Sequence, residues 1–301
     1  LLEPLTRKNN FYDLQFQGKR CVIDFFQLSG DYEKEESESK LLLQEAEKAG
    51  SMIGMVVALQ SLGNAYIVTY RDEEALDAYE KAYVLSCKID NPALTLEIIH
   101  SVTEVIQKIK DYPKWLKYIK LEEDCINESI RHSKVNFSLQ SCILMMYIHY
   151  VAYYTKVGDM DMAKHYYHLA DSTYRTLPEA GLYQEYYARV SSDYLRKSGQ
   201  YEKALPQVDT LMMLFRPVSP LSYNAAFEER GEILHLMGHD AEALDLLKVA
   251  KKRRDSLQIE LLNTQTEQVK SIHDVYVLQQ EKDRNYRYPV SYTHLTLPTI
   301  C

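Results

Sequence analysis

The sequence predicts an all-α protein, built from helix hairpins packed side by side and followed by one long C-terminal helix. Three observations carry this. Only 10 Gly and 9 Pro are spread over 301 residues, with 26% charged and 46% hydrophobic residues, a balance that suits long helices joined by short turns. One turn is written three times, as Gly158-Asp159-Met160-Asp161-Met162-Ala163, Gly199-Gln200-Tyr201-Glu202-Lys203-Ala204 and Gly238-His239-Asp240-Ala241-Glu242-Ala243. And Leu62, Gly63, Tyr66, Ala75, Tyr79 and Ala82 set small against large residues at offsets that let two antiparallel helices cross closely.

At that crossing Gly63 and Ala75 let the backbones approach, while Leu62, Tyr66 and Tyr79 fill the space around them. With Ala75 as anchor, the matching positions are Trp115, Ala163, Ala204 and Ala243, at steps of 40, 48, 41 and 39 residues. The 48-residue step implies an insertion before Ala163. Gly158, Gly199 and Gly238 stand five residues before their anchors, where glycine can take the left-handed conformation that ends a helix. Gly30-Asp31-Tyr32 fits a degenerate first copy. Its anchor would be Glu35, which is wrong for a tight crossing. Trp115 is also wrong there, so the second copy is expected to pack more loosely. From Ala250 to Arg284 there is neither Pro nor Gly, and one helix is expected. Leu257, Leu261 and Thr264, then Val269, Ile272 and Tyr276, follow three- and four-residue steps within each run, with Gln265 and Gln268 interrupting the seam. Coiled-coil pairing and a capping helix on the last repeat both fit. The resulting divisions are 1–49 (degenerate repeat with a truncated start), 50–250 (repeat array), 251–286 (long helix) and 287–301 (non-native tail).

Over about residues 20–250 the chain resembles tetratricopeptide-repeat proteins, whose pattern is W-x2-L-G-x2-Y followed by A-x3-F. Leu59 takes the Trp place and Tyr79 the Phe place. A repeat step near 40 is longer than the usual ~34. The resemblance implies a right-handed superhelix that binds a protein or peptide ligand and carries no catalysis. In such arrays the first helix of each pair lines the concave face. That transfers to the inward pairs Gln60 and Asn64, His100 and Glu104, Ile148 and Ala152, Arg189 and Asp193, Glu228 and Glu232, each four apart and on one helical face. Tyr186 and Arg196 flank the fourth pair. The family's carboxylate clamp for chaperone tails is matched only at Asn64, so that ligand is not expected. Arg254-Asp255-Ser256-Leu257 passing into a Gln/Glu-rich helix resembles bacterial sensors whose repeats precede a membrane span and a histidine kinase or DNA-binding domain. This second resemblance implies a truncated signalling protein, a homodimer through the C-terminal helix and a membrane span in the lost part. It favours a periplasmic setting, with a cytoplasmic one as alternative. A stand-alone scaffold for protein assembly is the other functional reading.

The net charge of −8 argues against general nucleic-acid binding, which needs a basic face. The most apolar stretch, Cys142 to Tyr154, is interrupted by His149 and shorter than the roughly 20 residues of a membrane span. The chain starts at Leu1 without a secretory signal pattern and reads as a fragment. Val290 to Thr299 resembles a translated sequencing adapter. Cys21, Cys87, Cys125, Cys142 and Cys301 form no C-x-x-C pair and read as buried apolar groups rather than a disulfide framework. His165 and His168, with Asp161 a turn earlier, have the spacing of two metal ligands but no third, and His235 and His239 straddle a turn. His273 lacks the Pro of a phosphoacceptor box, and neither a Walker loop nor a G-x-S-x-G elbow is present. No catalytic residue, metal or cofactor is therefore expected. Lys251-Lys252-Arg253-Arg254 reads as a solvated face partnered by nearby acids. The 25 Tyr, dense from Tyr147 to Tyr201, suit both packing between helices and a wet groove, because each joins a large ring to a polar tip.

Overall fold

The computed structural model describes residues 12–131, 139–259 and 262–263, and among these every regular element is helical. Helix α1 (Tyr12–Ser29) pairs with α2 (Tyr32–Ala49), α3 (Met52–Val68) with α4 (Asp72–Ser86), α5 (Pro92–Ile109) with α6 (Tyr112–Arg131), and α7 (Leu139–Val157) with α8 (Met160–Thr176). A 3-10 turn, Ala180–Tyr183, leads into α9 (Gln184–Lys197). Then follow α10 (Tyr201–Phe215), α11 (Pro220–Leu236) and α12 (240–259). The all-α hairpin array is the fold the sequence predicts. The chain divides into two compact units, Leu1–Gly199 and Gln200–Cys301. The expectations for a continuous helix to 286 and for a non-native tail at 287–301 lie outside the described residues, as do His273 and Cys301.

Local chemistry sets the helix ends. Asp31, Ser51, Asn91, Asp159 and Ser219 each accept a backbone N–H three residues on, satisfying a donor that the first turn leaves open. Pro92 and Pro220 open α5 and α11, where a missing N–H costs nothing. The turn five residues before each anchor is left-handed in every copy, at Gly30, Tyr70, Lys110, Gly158, Gly199 and Gly238. Three of these were expected as glycine turns from the repeated motif. Tyr70 and Lys110 hold the same backbone at φ +60° and +62° without glycine, so the geometry recurs even where the residue does not.

The anchors are buried in every copy. Ala75, Ala163, Ala204 and Ala243 are inside, and so are Glu35 and Trp115. The expectation of a loose second copy is corrected by Trp115, which is fully buried and packs edge-on against Tyr153 at 5.7 Å. Its indole fills the volume that a wider crossing opens, and it belongs to one continuous core running from Val56 through Tyr79, Ile99 and Ile119 to Tyr150. Phe16, Ile23, Leu42, Ala46, Val57 and Ala58 form a second core between the first hairpin and α3.

Glu35 is the exception in kind. It is 1% exposed, and burial, reinforced by the charge on Asp24, pushes its carboxyl up to about 7. A carboxyl whose folded pKa is raised keeps its full contribution below the unfolded value near 4.5 and loses it as pH rises through about 7. Glu35→Gln fixes the uncharged form. It is expected to stabilise the protein by about 2 kcal/mol at pH ~8 and to have little effect at pH ~4.5. Urea midpoints for the two proteins across that range check this; parallel curves would refute it.

Tyrosine serves as the packing residue between helices, with its hydroxyl held by an acid or amide on the facing helix. Tyr118 donates to Glu80 at 2.9 Å, Tyr150 to Glu123 at 2.6 Å and Tyr187 to Asp171 at 2.5 Å. Tyr150 stacks on Tyr166 at 4.2 Å and Tyr174 on Tyr187 at 4.1 Å. Burial and these hydrogen bonds raise the Tyr150 and Tyr187 hydroxyls well above the usual phenol range.

Candidate ligand groove

In the first compact unit the first helices of successive hairpins share one polar face. Helix α1 contributes Arg20, Asp24 and Gln27; α3 contributes Gln60 and Asn64; α5 contributes Glu97, His100, Glu104 and Lys108. His149 comes from α7, and Tyr186 and Arg189 from α9. Three- and four-residue steps place each set on one side of its helix. A groove of about 420 Å³ runs along this face, lined by Asn64, Tyr79, Ser101, Glu104, Gln107 and Arg189 among others.

At one end, Arg20 is the hub. Its Nη1 donates to Gln60 Oε1 at 2.7 Å and its Nη2 to Glu97 Oε1 at 3.2 Å, while Gln60 Nε2 donates to the same Glu97 oxygen at 2.8 Å. Gln60 is buried and both ends of its amide are engaged, so it is a strut beneath the groove rather than a contact on it. Asn64 Oδ1 accepts from the Tyr79 hydroxyl at 2.6 Å, which turns the Asn64 amide nitrogen onto the groove wall as a donor.

At the centre, His100 stacks on His149 with 5.3 Å between ring centroids, and Tyr186 meets His100 edge-on at 5.3 Å. His149 is buried, and its Nδ1 lies 2.7 Å from Glu122 Oε2 on α6. Burial lowers the His149 pKa, but the adjacent Glu122 carboxylate more than reverses this and the net shift is upward. Burial, then the charge on His149, hold His100 below the usual histidine value, against the pull of Glu104, Glu122 and Glu97.

The remaining predicted residues have other roles. Asp193 binds Lys156 Nζ at 2.9 Å and Arg196 Nη2 at 3.1 Å, with Lys197 Nζ at 3.8 Å. Burial opposes ionisation of Asp193, but these cations hold its carboxyl below the usual range. Asp193 thus binds α9 to α7 through Lys156, with Arg196 bracing it from its own helix, and Lys197 also donates to the Thr155 carbonyl. Glu228 and Glu232 belong to the second unit, on α11. Glu228 accepts from Arg254 Nη1 at 2.8 and 3.1 Å, so it ties α11 to α12, while Glu232 is exposed one turn on. Arg253 lies over Phe227 at 4.8 Å, so the basic cluster is partnered within its own hairpin.

Ile148 and Ala152 are not groove residues: Ile148 is buried and Ala152 packs against the core. The 48-residue step laid on His100 lands on Ile148, whereas the inward position is His149. One residue of slip turns a helix by about 100° and exchanges the groove face for the core. Arg20, Asp24, Glu97, His149 and Glu122 were the residues missed. A lone His inside the apolar stretch 142–154 was the available signal for His149. His165 and His168 are exposed, and among the described residues no group of three His, Cys, Asp or Glu is placed to hold a metal ion. Cys21 and Cys87 are exposed, correcting the reading of the cysteines as buried groups, and Cys125 and Cys142 are partly buried. Among the described residues no helix is long and apolar enough to cross a membrane.

No known family model matches the sequence, and no curated protein is detectably similar to it. Solved structures are similar in fold. NprR in complex with its cognate peptide NprX superposes with a TM-score of 0.57 at 14% identity, covering 96% of this chain and 84% of that one. BtubC (BKLC) from P. vanneervenii gives 0.53 at 13% identity, covering 75% and 92%. A tetratricopeptide repeat protein from Parabacteroides merdae gives 0.47 at 15% identity, covering 79% of each. With the anchors and left-handed turns in register, the chain has the tetratricopeptide-type hairpin fold.

Proposed function

We propose that the first compact unit binds an extended peptide along its polar face, as the ligand-sensing region of a bacterial signalling protein. The observation that carries this is the convergence of Asn64, Glu104 and Arg189, from three different helices, on one groove that the Tyr79 ring also lines. Amides, an acid, an aromatic ring and a guanidinium in one channel suit a backbone with its alternating carbonyls and N–H groups better than a single charged ligand. The peptide held by NprR, a fold neighbour, supports the same reading. The signal is proposed to leave through α12 and its continuation, whose pairing with a second copy is the output. None of the residues described has a catalytic role in this mechanism.

The test is selection of displayed random peptides on the immobilised full chain. Enriched peptides are expected to bind at least about tenfold more weakly to Arg189→Glu and Asn64→Ala, a loss of about 1.4 kcal/mol. No enrichment, or peptides indifferent to both changes, would refute the groove.

A further inference from the structure

Four side chains from three helices stand in file beneath the groove. Glu104 Oε1 lies 3.6 Å from His100 Nε2, His100 Nδ1 lies 3.2 Å from His149 Nε2, and His149 Nδ1 lies 2.7 Å from Glu122 Oε2. The first gap is longer than a hydrogen bond; the other two are hydrogen bonds. Exposure falls along the file, from a Glu104 carboxylate open to solvent to a Glu122 carboxylate inside the core.

The hydrogen positions follow from donor and acceptor matching. Ionised Glu122 only accepts, so His149 Nδ1 carries a hydrogen. If the imidazole pair holds one proton beyond neutrality, His149 Nε2 donates to His100 Nδ1, and the hydrogen of His100 sits on Nε2, on the side of the groove-lining Glu104. If the pair is neutral, His100 Nδ1 must donate to His149 Nε2, and His100 Nε2 becomes a bare lone pair. If it holds two protons, hydrogens face each other across 3.2 Å and the pair is forced apart. Of the two states that keep the His100–His149 hydrogen bond, only the singly protonated pair offers an N–H to a ligand.

We propose that His100 recognises a ligand through Nε2–H, donated to a neutral amide carbonyl of a peptide in the groove, and that Glu122, acting through His149, fixes the tautomer that makes this possible. The inference rests on the concave face being a ligand groove. The neutrality of the acceptor follows from the surroundings. Glu104 on α5 stands 3.6 Å from His100 Nε2, Glu97 one turn back is paired with Arg20 from α1, Glu122 on α6 and His149 on α7 lie on the Nδ1 side, and Tyr186 on α9 packs edge-on with Arg189 one turn on. At Nε2 a carboxylate ligand would meet the like charge of Glu104 at close range, and a cation cannot accept the N–H. His100 is thus a binding residue and Glu122 a positioning residue. The downward shift at His100 and the upward shift at His149 lie on either side of the usual histidine value, so the singly protonated pair exists around that value.

The experiment is ring-nitrogen NMR on the full chain labelled at histidine, with N-methylacetamide, acetate and methylammonium as probes near neutral pH. The expected result is a His100 ring in the Nε2–H form whose Nε2 signal moves with N-methylacetamide and not with the two ions. Glu122→Gln leaves His149 neutral and is expected to flip His100 to the Nδ1–H form and abolish the response. Should that variant fail to fold, raising the pH of the unaltered protein through the His149 titration makes the same change without a substitution. An Nδ1–H form of His100 at neutral pH, no response to N-methylacetamide, a larger response to acetate, or a response that survives loss of the proton overturns the proposal. Displayed peptides that still depend on Arg189 while the His100 response is missing overturn this subsite alone. A His100 response without any enriched peptide overturns the groove reading and the peptide as ligand, and leaves only Nε2–H donation to an amide carbonyl.

Discussion

Glu122→Ala is expected to lower the folding free energy by about 3–5 kcal/mol, the cost of breaking a buried ion pair by removing one partner. Glu122 and His149 have 4% and 9% of their side chains exposed, and no water can replace the lost carboxylate without entering the core. His149 then gives up its charge, and the hydrogen-bonded file to His100 loses its fixed end. Glu122→Gln separates charge from shape: it keeps an acceptor for His149 Nδ1, and about 1–2 kcal/mol is the expected cost. The pH dependence distinguishes the two effects. His149 has a raised folded pKa, so its contribution is complete below its usual value of 6.5 and is lost as pH rises through the folded value. His100 has the opposite sign, and its contribution falls as pH drops below 6.5. Urea unfolding between pH ~6 and ~9 is therefore expected to show stability declining in the unaltered protein and a flatter profile in Glu122→Gln. Identical slopes would mean that His149 is neutral throughout.

That pair also marks where the sequence stopped being legible. Hairpin period, turn position and anchor position are backbone properties, repeated in each copy, and they could be read even where glycine had become Tyr70 or Lys110 and alanine had become Glu35 or Trp115. The groove is made of side chains that differ in each copy, so only the period could locate them. It pointed to Asn64, Glu104 and Arg189, which line one pocket, and to His100 and Tyr186, which pack against each other. It failed by one residue after the insertion, exchanging His149 for Ile148. Glu122 was illegible for a different reason: it sits on a second helix, α6, whose face toward the groove floor matters only because His149 comes down to meet it. Gln60 and Asp193 were on the right helices with the wrong role, because sequence spacing does not reveal that Arg20 or Lys156 will already occupy them.

Gly63→Ala is expected to destabilise the protein by about 2–3 kcal/mol, the range for inserting a group into a well-packed core. Helix propensity alone predicts the opposite, a gain of about 1 kcal/mol. The sign is decided by Tyr79. A methyl at Gly63 would stand 2.3 Å from Tyr79 Cε1 and 2.6 Å from its Cδ1, well inside van der Waals contact. Tyr79 cannot swing aside at low cost, because its ring is buried and its hydroxyl is held by Asn64, the residue next to Gly63. Either α3 and α4 separate or the Tyr79–Asn64 hydrogen bond breaks, and the second route moves a groove donor. Tyr79→Leu in the same background removes the obstructing ring edge, so the double substitution is expected to cost less than the sum of the two single ones. Peptide binding is the second measurement. If the helices separate, affinity in Gly63→Ala falls only in step with its stability. If Asn64 is displaced instead, Gly63→Ala weakens binding beyond its loss of stability. A Gly63→Ala protein as stable as the original would mean that α3 and α4 do not need their close approach, and with it the packing rule that sets Gly63 against Tyr79 would fall.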